Sequence, residues 1–302
     1  MSRFRVLAIY LTCCVLWGSS WLAIKIGLRD WTPLHFAGTR MVLAAACLLP
    51  FVLRRWTERP PGKLIGRILM IGVLQIGIPY SLLFVGQQWL PAGISAVLFA
   101  TFPVWLMLVS RVLLPDEHLT RTKLLAAALG VAGVIALQLP RLHTIALGSR
   151  EVLGAALVLG AAMLIAVANA LVRRSLGGAS PMMVTFFQIV AGAAVIMTLA
   201  RVFEPQASIP LQARPLAAMA YLAIFGTVAT YLCFFWLIQR IPMTAMGVIP
   251  LIDTTVAVLL GTIFLDEPIT RYVLLGGGLI MTAALLANRP RPSAEEGATE
   301  AT

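Results

Sequence analysis

A single carboxylate, Asp253, interrupts the apolar stretch Gly247–Phe264 and follows Pro250 by three residues. A charge at the centre of a bilayer costs about 2.5–3.5 kcal/mol on insertion scales, so a membrane-buried acid needs a compensating role. In a wet cavity, Asp253 would bind a cation or a proton. Between packed helices, it would instead hydrogen-bond Thr254, Thr255 or the backbone that Pro250 frees. Both roles are open, and we favour the functional one.

Aromatic residues form a second candidate group. Tyr80 and Phe84 have the i, i+4 spacing of one helix face, and so do Tyr231 and Phe235. Such rings offer apolar contact, a hydroxyl group and a face that attracts cations. This chemistry suits a substrate cavity, although packing and lipid contact are the alternative for aromatic stripes.

Other candidates lie at a similar expected depth. Trp17, Ser20 and Trp21 belong to the first apolar segment, and Asn169 belongs to the sixth. Indole and amide groups suit a zwitterion or an aromatic side chain, whereas small residues such as Ser20 also permit close helix contact. Phe99 and Trp105, which flank Pro103, are added as aromatic candidates. The predicted substrate-binding set is Trp17, Ser20, Trp21, Tyr80, Phe84, Phe99, Trp105, Asn169, Tyr231, Phe235 and Asp253.

The composition indicates that membrane helices hold these residues. The chain of 302 residues is 60% hydrophobic and 12% charged, with a mean hydropathy of +0.93, whereas soluble domains are about half apolar and about a quarter charged. We predict an all-α integral membrane protein, because the apolar runs exceed the ~10 residues of a barrel strand. Ten transmembrane helices are predicted near 6–27, 33–53, 64–86, 92–114, 121–139, 151–172, 181–203, 214–238, 243–265 and 271–288.

The basic residues predict the orientation. Two of the 23 lysines and arginines, Lys25 and Arg40, lie within predicted spans. Six lie on one side of the membrane, namely Arg29, Arg141, Arg150, Arg201, Arg214 and Arg271, and the other 15 lie on the side of the N-terminus. The positive-inside rule then places both termini in the cytoplasm. Topology and anionic lipid headgroups account for the +11 net charge, so no nucleic-acid partner is predicted.

An internal repeat divides the chain. The segment QQWLPAG resembles LIQRIPMT, and the same offset of 151 residues aligns Tyr80 with Tyr231 and Phe84 with Phe235. We predict a first repeat at 1–139, an external linker at 140–150, a second repeat at 151–289 and a disordered cytoplasmic tail at 290–302. Since each repeat has five helices, the second enters the membrane from the opposite side. Inverted repeats of this kind are common in secondary transporters.

This paired pattern resembles a known family. LWGSSWLAIKIGL…FAGTR, followed by LPAGISAVLFATFPVWLMLVSRVLLPDE and its counterpart in the second half, resembles EamA-type members of the drug/metabolite transporter superfamily over nearly the whole chain. The resemblance implies a ten-helix carrier of the bacterial inner membrane, and many such carriers export amino acids or related metabolites. The chain departs from the family pattern at one place, since the fourth helix of each half usually has a proline there. Pro103 fills this place in the first half, whereas its counterpart in the second half is Asp253 and the proline lies at Pro250.

Arg40, two turns into the second predicted helix, has two interpretations. Its guanidinium would hold a substrate carboxylate in a bidentate manner, or it would fill a gap between helices and extend toward a polar interface. In the fold that the resemblance implies, the second helix is peripheral. We therefore favour a structural role and leave Arg40 out of the substrate-binding set.

The predicted function is outward transport of small zwitterionic or amphipathic metabolites, with hydrophobic and aromatic amino acids first, by alternating access at a midplane cavity. The alternative is a proton-coupled exporter of cationic drugs that uses Asp253. The expected partners are a small-molecule substrate and membrane lipids, and monomer and homodimer are both open. The cysteines lack metal-ligand spacing, so no metal or other cofactor is predicted.

Rival functions fit less well. An intramembrane aspartyl protease needs two acids, and only Asp253 qualifies; the protein is therefore not predicted to be an enzyme. A channel would show a ring of charges or a carbonyl filter, and neither signature is visible in the sequence. A carrier of lipids or lipid-linked substrates stays open.

Overall fold

The computed structural model describes residues 3–87, 89–90, 98–114, 120–142, 148–207, 210, 212–265 and 271–287. Regular structure in this part of the chain is helical throughout, as predicted. Before residue 143 the helices are α1 (Arg3–Gly27), α2 (Pro33–Arg54), α3 (Gly62–Gly72), α4 (Ile78–Gln87), α5 (Phe102–Leu113) and α6 (Arg121–Leu142). After it they are α7 (Ser149–Ser175), α8 (Pro181–Phe203), α9 (Ala213–Ala223), α10 (Thr230–Leu237), α11 (Met243–Leu265) and α12 (Arg271–Ala287).

Six of these helical stretches are long and apolar enough to cross a membrane. They are Arg3–Ile24, Pro33–Arg54, Gly62–Gly86, Ser149–Ser175, Pro181–Phe203 and Ala213–Leu237. Shorter apolar helices occupy Phe102–Leu113, Met243–Asp253 and Leu274–Ala283. The protein is therefore an all-helical, multi-pass membrane protein. Of the predicted fourth span, 92–97 lies outside the described residues, and so does the predicted tail at 290–302.

Two π-helical segments interrupt otherwise continuous helices. Segment π1 (Val73–Gly77) joins α3 to α4, and π2 (Ile224–Ala229) joins α9 to α10. They begin 151 residues apart, which is also the separation of Tyr80 and Tyr231. A π turn disturbs the usual i→i−4 bonds and is frequent at functional sites. In π2, the hydroxyl of Thr227 satisfies the carbonyl oxygen of Leu222 at 2.8 Å, as side chains do for freed backbone groups in membranes.

Helices from the two halves of the chain pack against each other. The pairs α2–α8, α1–α11, α4–α7 and α6–α12 each join one half to the other. Glycines permit this close packing, since a Cβ atom on Gly133 of α6 would lie 2.8 Å from the Gly276 carbonyl oxygen of α12. The two predicted repeats therefore form one interlocked bundle.

A carboxylate fastens the two halves at one end of this bundle. Glu204 follows α8 and accepts hydrogen bonds from the backbone N–H groups of Leu34 and His35, both at 2.9 Å. These donors belong to the first turn of α2, where helical N–H groups lack partners in the helix itself. The ring Nδ1 of His35 lies 3.0 Å from the same carboxylate. The α2 N-terminus is thereby capped by the end of α8.

Candidate functional site

A cavity of about 120 Å³ lies inside the bundle, between helices of both halves. Its walls come from α1, α2, α4, α5, α7, α10, α11 and π1. The lining residues are Trp17, Ser20, Ile24, Arg40, Gln75, Tyr80, Leu83, Phe84, Phe99, Phe102, Ile165, Asn169, Tyr231, Phe234, Pro250 and Asp253. The walls are thus mainly apolar and aromatic with a few polar groups, which is the usual character of a small-molecule site.

Aromatic rings that line the cavity pack against one another. The Trp17 ring meets Tyr231 nearly at right angles, with a centroid distance of 5.9 Å, and lies 5.1 Å from the Phe234 ring. Phe99 stacks on Phe102 at 6.0 Å. Such contacts fix the rings in place and leave aromatic surface for an apolar or cationic group.

A tyrosine pair joins the two halves at the cavity. The Tyr231 hydroxyl donates to the Tyr80 hydroxyl over 3.1 Å. Each ring stacks on the phenylalanine one turn later in its helix, Tyr80 on Phe84 at 6.4 Å and Tyr231 on Phe235 at 5.5 Å. Two equivalent helix faces therefore meet through one hydrogen bond.

An amide pair provides neutral polarity. The Gln75 side-chain NH₂ group donates to the Asn169 side-chain carbonyl oxygen over 2.7 Å, linking π1 to α7. Asn169 is fully buried, and Gln75 is 3% exposed. The other polar atom of each side-chain amide, Gln75 Oε1 and Asn169 Nδ2, has no hydrogen-bond partner. One acceptor and one donor of this amide pair are thus left unsatisfied.

Two groups of opposite charge line the same cavity. Asp253 of α11 is 7% exposed and Arg40 of α2 is 3% exposed. The Arg40 guanidinium donates from Nε to the Thr227 hydroxyl at 2.7 Å and from Nη2 to the Gly226 carbonyl oxygen at 2.8 Å. It is therefore held by π2 inside the bundle. Thr255, one of the predicted packing partners of Asp253, donates its hydroxyl to the Leu251 carbonyl oxygen at 3.4 Å.

The cavity contains eight of the eleven predicted residues: Trp17, Ser20, Tyr80, Phe84, Phe99, Asn169, Tyr231 and Asp253. Trp105 and Phe235 do not line it. The Trp105 indole donates to Thr101 one turn earlier, and Phe235 packs against Phe234 at 5.7 Å. The side chain of Trp21 lies outside the described part of the chain.

Several lining residues are not in the predicted set, chiefly Arg40, Gln75 and Phe234. Gln75 carries a signal that was available, because a glutamine within an apolar span is costly without a partner. The expectation of a peripheral α2 predicts a structural role for Arg40 and keeps it out of the substrate-binding set. The structure places Arg40 in the cavity wall, because the side chain reaches π2.

The fold and the cavity define a class, that of a multi-pass membrane protein whose two halves enclose a cavity. A family model described as the EamA-like transporter family matches residues 5–138 and again residues 152–289. The chain belongs to this family, which confirms the resemblance drawn from the sequence. It is therefore a membrane transporter.

Individual relatives agree with this assignment. Over 274 residues the chain is 27% identical to the uncharacterized inner membrane transporter YedA of Escherichia coli, covering 90% of this chain and 87% of YedA. It is 26% identical to Protein PecM of Dickeya dadantii over 288 residues, covering 94% and 92%. A solved crystal structure of another protein shares the fold with a TM-score of 0.80 at 20% identity, covering 95% and 97%.

Proposed function

We propose that the protein moves small amphipathic metabolites outward across the bacterial inner membrane, and that amino acids, including hydrophobic and aromatic ones, are the leading substrates. The observation that carries this proposal is the cavity between the two halves of the chain, which combines aromatic walls, an amide pair and two opposite charges. An amphipathic ligand needs this mixture of apolar surface and a few placed polar groups.

The proposed mechanism is alternating access. The two five-helix halves act as inverted repeats, which rock about the cavity and expose it to one side of the membrane or the other. In this proposal both termini lie in the cytoplasm, which the distribution of the basic residues favours. In this scheme the Tyr80–Tyr231 bond, at 3.1 Å, is one of the contacts that must break when the halves separate at the cavity.

Each wall has an assigned task in substrate binding. Trp17 and Tyr231 present ring surface to an apolar side chain or an ammonium group. Asn169 and Gln75 supply one hydrogen-bond donor and one acceptor. Asp253 attracts the ammonium group, since opposite charges attract strongly where water is scarce.

A proton-coupled exporter of cationic drugs is the second candidate. The buried carboxylate of Asp253 beside aromatic rings favours it, because the acid could exchange a proton for an organic cation. The size of the cavity favours small metabolites. Its volume of about 120 Å³ is well below the ~300–1,000 Å³ of typical sites for drug-sized ligands.

Counterflow in proteoliposomes tests the proposal. A labelled panel of amino acids and organic cations is exchanged by the wild type and by Asp253→Asn at pH 6 and pH 8. Exposed Asp30 supplies a matched control, Asp30→Asn, which makes the same chemical change outside the cavity. We expect amino-acid exchange by the wild type and by Asp30→Asn, with a large loss in Asp253→Asn.

The other results have distinct meanings. Exchange that persists in Asp253→Asn would assign Asp253 to packing and favour uncoupled transport. Exchange of organic cations without any amino acid would replace the leading substrate class with the drug-export alternative. If no member of the panel exchanges, the proposed substrate classes are both wrong.

A further inference from the structure

Arg40 places a buried positive charge in the cavity wall. The side chain is 3% exposed and lines the same cavity as Asp253 and Tyr231. It begins two turns into α2 and ends on π2, so the guanidinium is enclosed between helices of both halves. A group in this position contacts whatever occupies the cavity.

The partners of this guanidinium in the protein are neutral. Nε is bonded to the Thr227 hydroxyl at 2.7 Å, and Nη2 is bonded to the Gly226 carbonyl oxygen at 2.8 Å. Among the described residues no carboxylate lies within 4.0 Å of Arg40. An arginine has five N–H donors, and two are used here. The two neutral bonds fix the plane of the group, and three donors remain for a ligand.

A buried cation without an anion is costly. Taking one ion out of water costs several kcal/mol even after the protein relaxes, and good geometry with an opposite charge is needed to offset that cost. Hydrogen bonds to a hydroxyl and a carbonyl offset only part of it. Asp253 lines the same cavity but is not within ion-pair distance of Arg40. The arrangement therefore fits a site in which the anion that pairs with Arg40 arrives with the substrate.

The other half of the chain shows that packing alone does not require a charge here. The alignment of Pro33 with Pro181 places Gln188 of α8 opposite Arg40 of α2. Gln188 is fully buried, its side-chain amide makes no hydrogen bond, and it packs where Gly72 lets α3 approach. A neutral side chain fills this place, and Gln188 does not line the cavity.

We propose that Arg40 binds the carboxylate of the transported substrate. Thr227 and Gly226 position the guanidinium, and its remaining donors receive the two carboxylate oxygens in the bidentate geometry that this pair favours. Because Asp253 lines the same cavity, the site selects a zwitterion over a simple cation. This inference rests on the proposed function and extends it by naming the residue that recognises the anionic group.

Phenylalanine and phenethylamine test the inference, since the second molecule is the first without its carboxylate. Counterflow of each is measured with the wild type, Arg40→Gln and Arg40→Lys. We expect the wild type to exchange phenylalanine at least about tenfold better than phenethylamine, the fold-change that corresponds to a charged hydrogen bond. Arg40→Gln should lose that preference, and Arg40→Lys should retain part of it as a point charge.

Two further variants separate binding from folding. Gln188→Leu is the matched control on α8 and should keep the wild-type preference. Thr227→Val leaves the charge in place but removes one anchor; it should raise the KM for phenylalanine and leave that for phenethylamine unchanged. This variant keeps the test decisive if Arg40→Gln fails to elute as a folded protein in size-exclusion chromatography.

The measurement also gives results that overturn the inference. Equal exchange of phenylalanine by the wild type and Arg40→Gln would assign Arg40 to structure, and so would an unchanged KM in Thr227→Val. Wild-type exchange of phenethylamine without phenylalanine would refute carboxylate recognition while leaving transport itself intact. If neither probe exchanges and phenylalanine does not raise the melting temperature of the wild type, both this inference and the proposal of aromatic amino-acid substrates are wrong.

Discussion

The hydroxyl of Tyr231 donates a hydrogen bond to the hydroxyl of Tyr80 over 3.1 Å, and the two residues lie 151 positions apart in the chain. Each follows a π segment and stacks on a phenylalanine one turn further on. A single bond thus joins corresponding points of the two halves beside the cavity. Under the proposed alternating-access mechanism, the strength of this bond would contribute to the balance between the states in which the halves are together or apart at the cavity.

Removing either hydroxyl should break this bond. Tyr80→Phe and Tyr231→Phe are each expected to lower the free energy of unfolding by about 0.5–1.5 kcal/mol, the usual net value of a hydrogen bond. Because both hydroxyls serve one bond, the double variant should cost little more than one single variant. Thermal or denaturant unfolding of the four proteins in detergent measures this coupling.

Tyr221→Phe serves as the control for that cycle. Its hydroxyl lies 2.7 Å from the Ser19 hydroxyl and does not line the cavity. The effects of Tyr221→Phe and Tyr231→Phe should therefore add. Full additivity between Tyr80→Phe and Tyr231→Phe would contradict the proposed contact.

The cavity was largely predictable because an internal repeat carries spatial information. The offset of 151 paired Tyr80 with Tyr231 before any geometry was known, and residues on equivalent inverted helices approach the same axis. Phe235 is an exception, because it is predicted to line the cavity and does not. Helical spacing alone puts it on the face of Tyr231, but Phe234 lines the cavity instead, because Trp17 packs against Tyr231 and Phe234.

Arg40 and the π segments were beyond prediction for a different reason. A hydrophobic pattern gives the face and length of a helix, but it does not report a single π turn or the carbonyl group that such a turn exposes. The Gly226 carbonyl oxygen accepts from Arg40 at 2.8 Å only because π2 and α2 are neighbours. Long polar side chains connect distant elements, and their partners depend on packing.

Gly226 is expected to tolerate no side chain while Ser20 faces it. A Cβ atom at Gly226 would lie 2.5 Å from the Ser20 hydroxyl oxygen, which is too close for a non-bonded pair. Gly226→Ala should therefore lower the melting temperature, with a cost of about 1–3 kcal/mol that is typical of overpacking. Adding Ser20→Ala should recover part of the loss, because the next atom, Leu222 Cδ2, is 3.2 Å away.

The rescue must be specific to this contact. Gly62 is a control, since a Cβ atom there would meet nothing within 4 Å, and Gly62→Ala should leave the melting temperature nearly unchanged. If Ser20→Ala is simply additive with Gly226→Ala, the two side chains do not compete for space.

The amide pair should behave as one unit in both stability and transport. Asn169→Leu leaves the Gln75 amide buried without its 2.7 Å partner, and Gln75→Met leaves Asn169 in the same condition. Each single variant should lower the free energy of unfolding by about 1–3 kcal/mol, the penalty for a buried polar group without a partner. The double variant, which removes both polar groups, should cost less than the sum of the two, and transport of amino acids should fall in all three.

Gln188→Met is the matched control for the amide pair. This glutamine is also buried in a membrane helix, but its amide already lacks a partner and lies outside the cavity. The substitution should leave transport unchanged and keep or raise the melting temperature. If the loss of unfolding free energy in the double variant equals the sum of the losses in the two single variants, Gln75 and Asn169 act independently.

The Glu204 cap should make the stability of the bundle depend on acidity. Partial burial alone would raise the pKa of Glu204, but hydrogen bonds from Thr32, Leu34 and His35 outweigh it and hold the pKa below its ordinary value of 4.5. A lowered folded-state pKa adds stability above the unfolded pKa and loses it as pH falls through the folded value. The wild type should therefore melt above Glu204→Gln at pH 7, and the gap should close under acid conditions.

A second acid shows what the same change does without a cap. Glu58 lies 3.9 Å from Arg55, and both side chains are more than half exposed, so Glu58→Gln should leave the melting temperature almost unchanged at either pH. The critical measurement is the gap between the wild type and Glu204→Gln, followed from pH 7 to below pH 4. A gap that stays constant over that range would mean that the charge on Glu204 does not stabilise α2, and the contact between α8 and α2 would then rest on neutral hydrogen bonds alone.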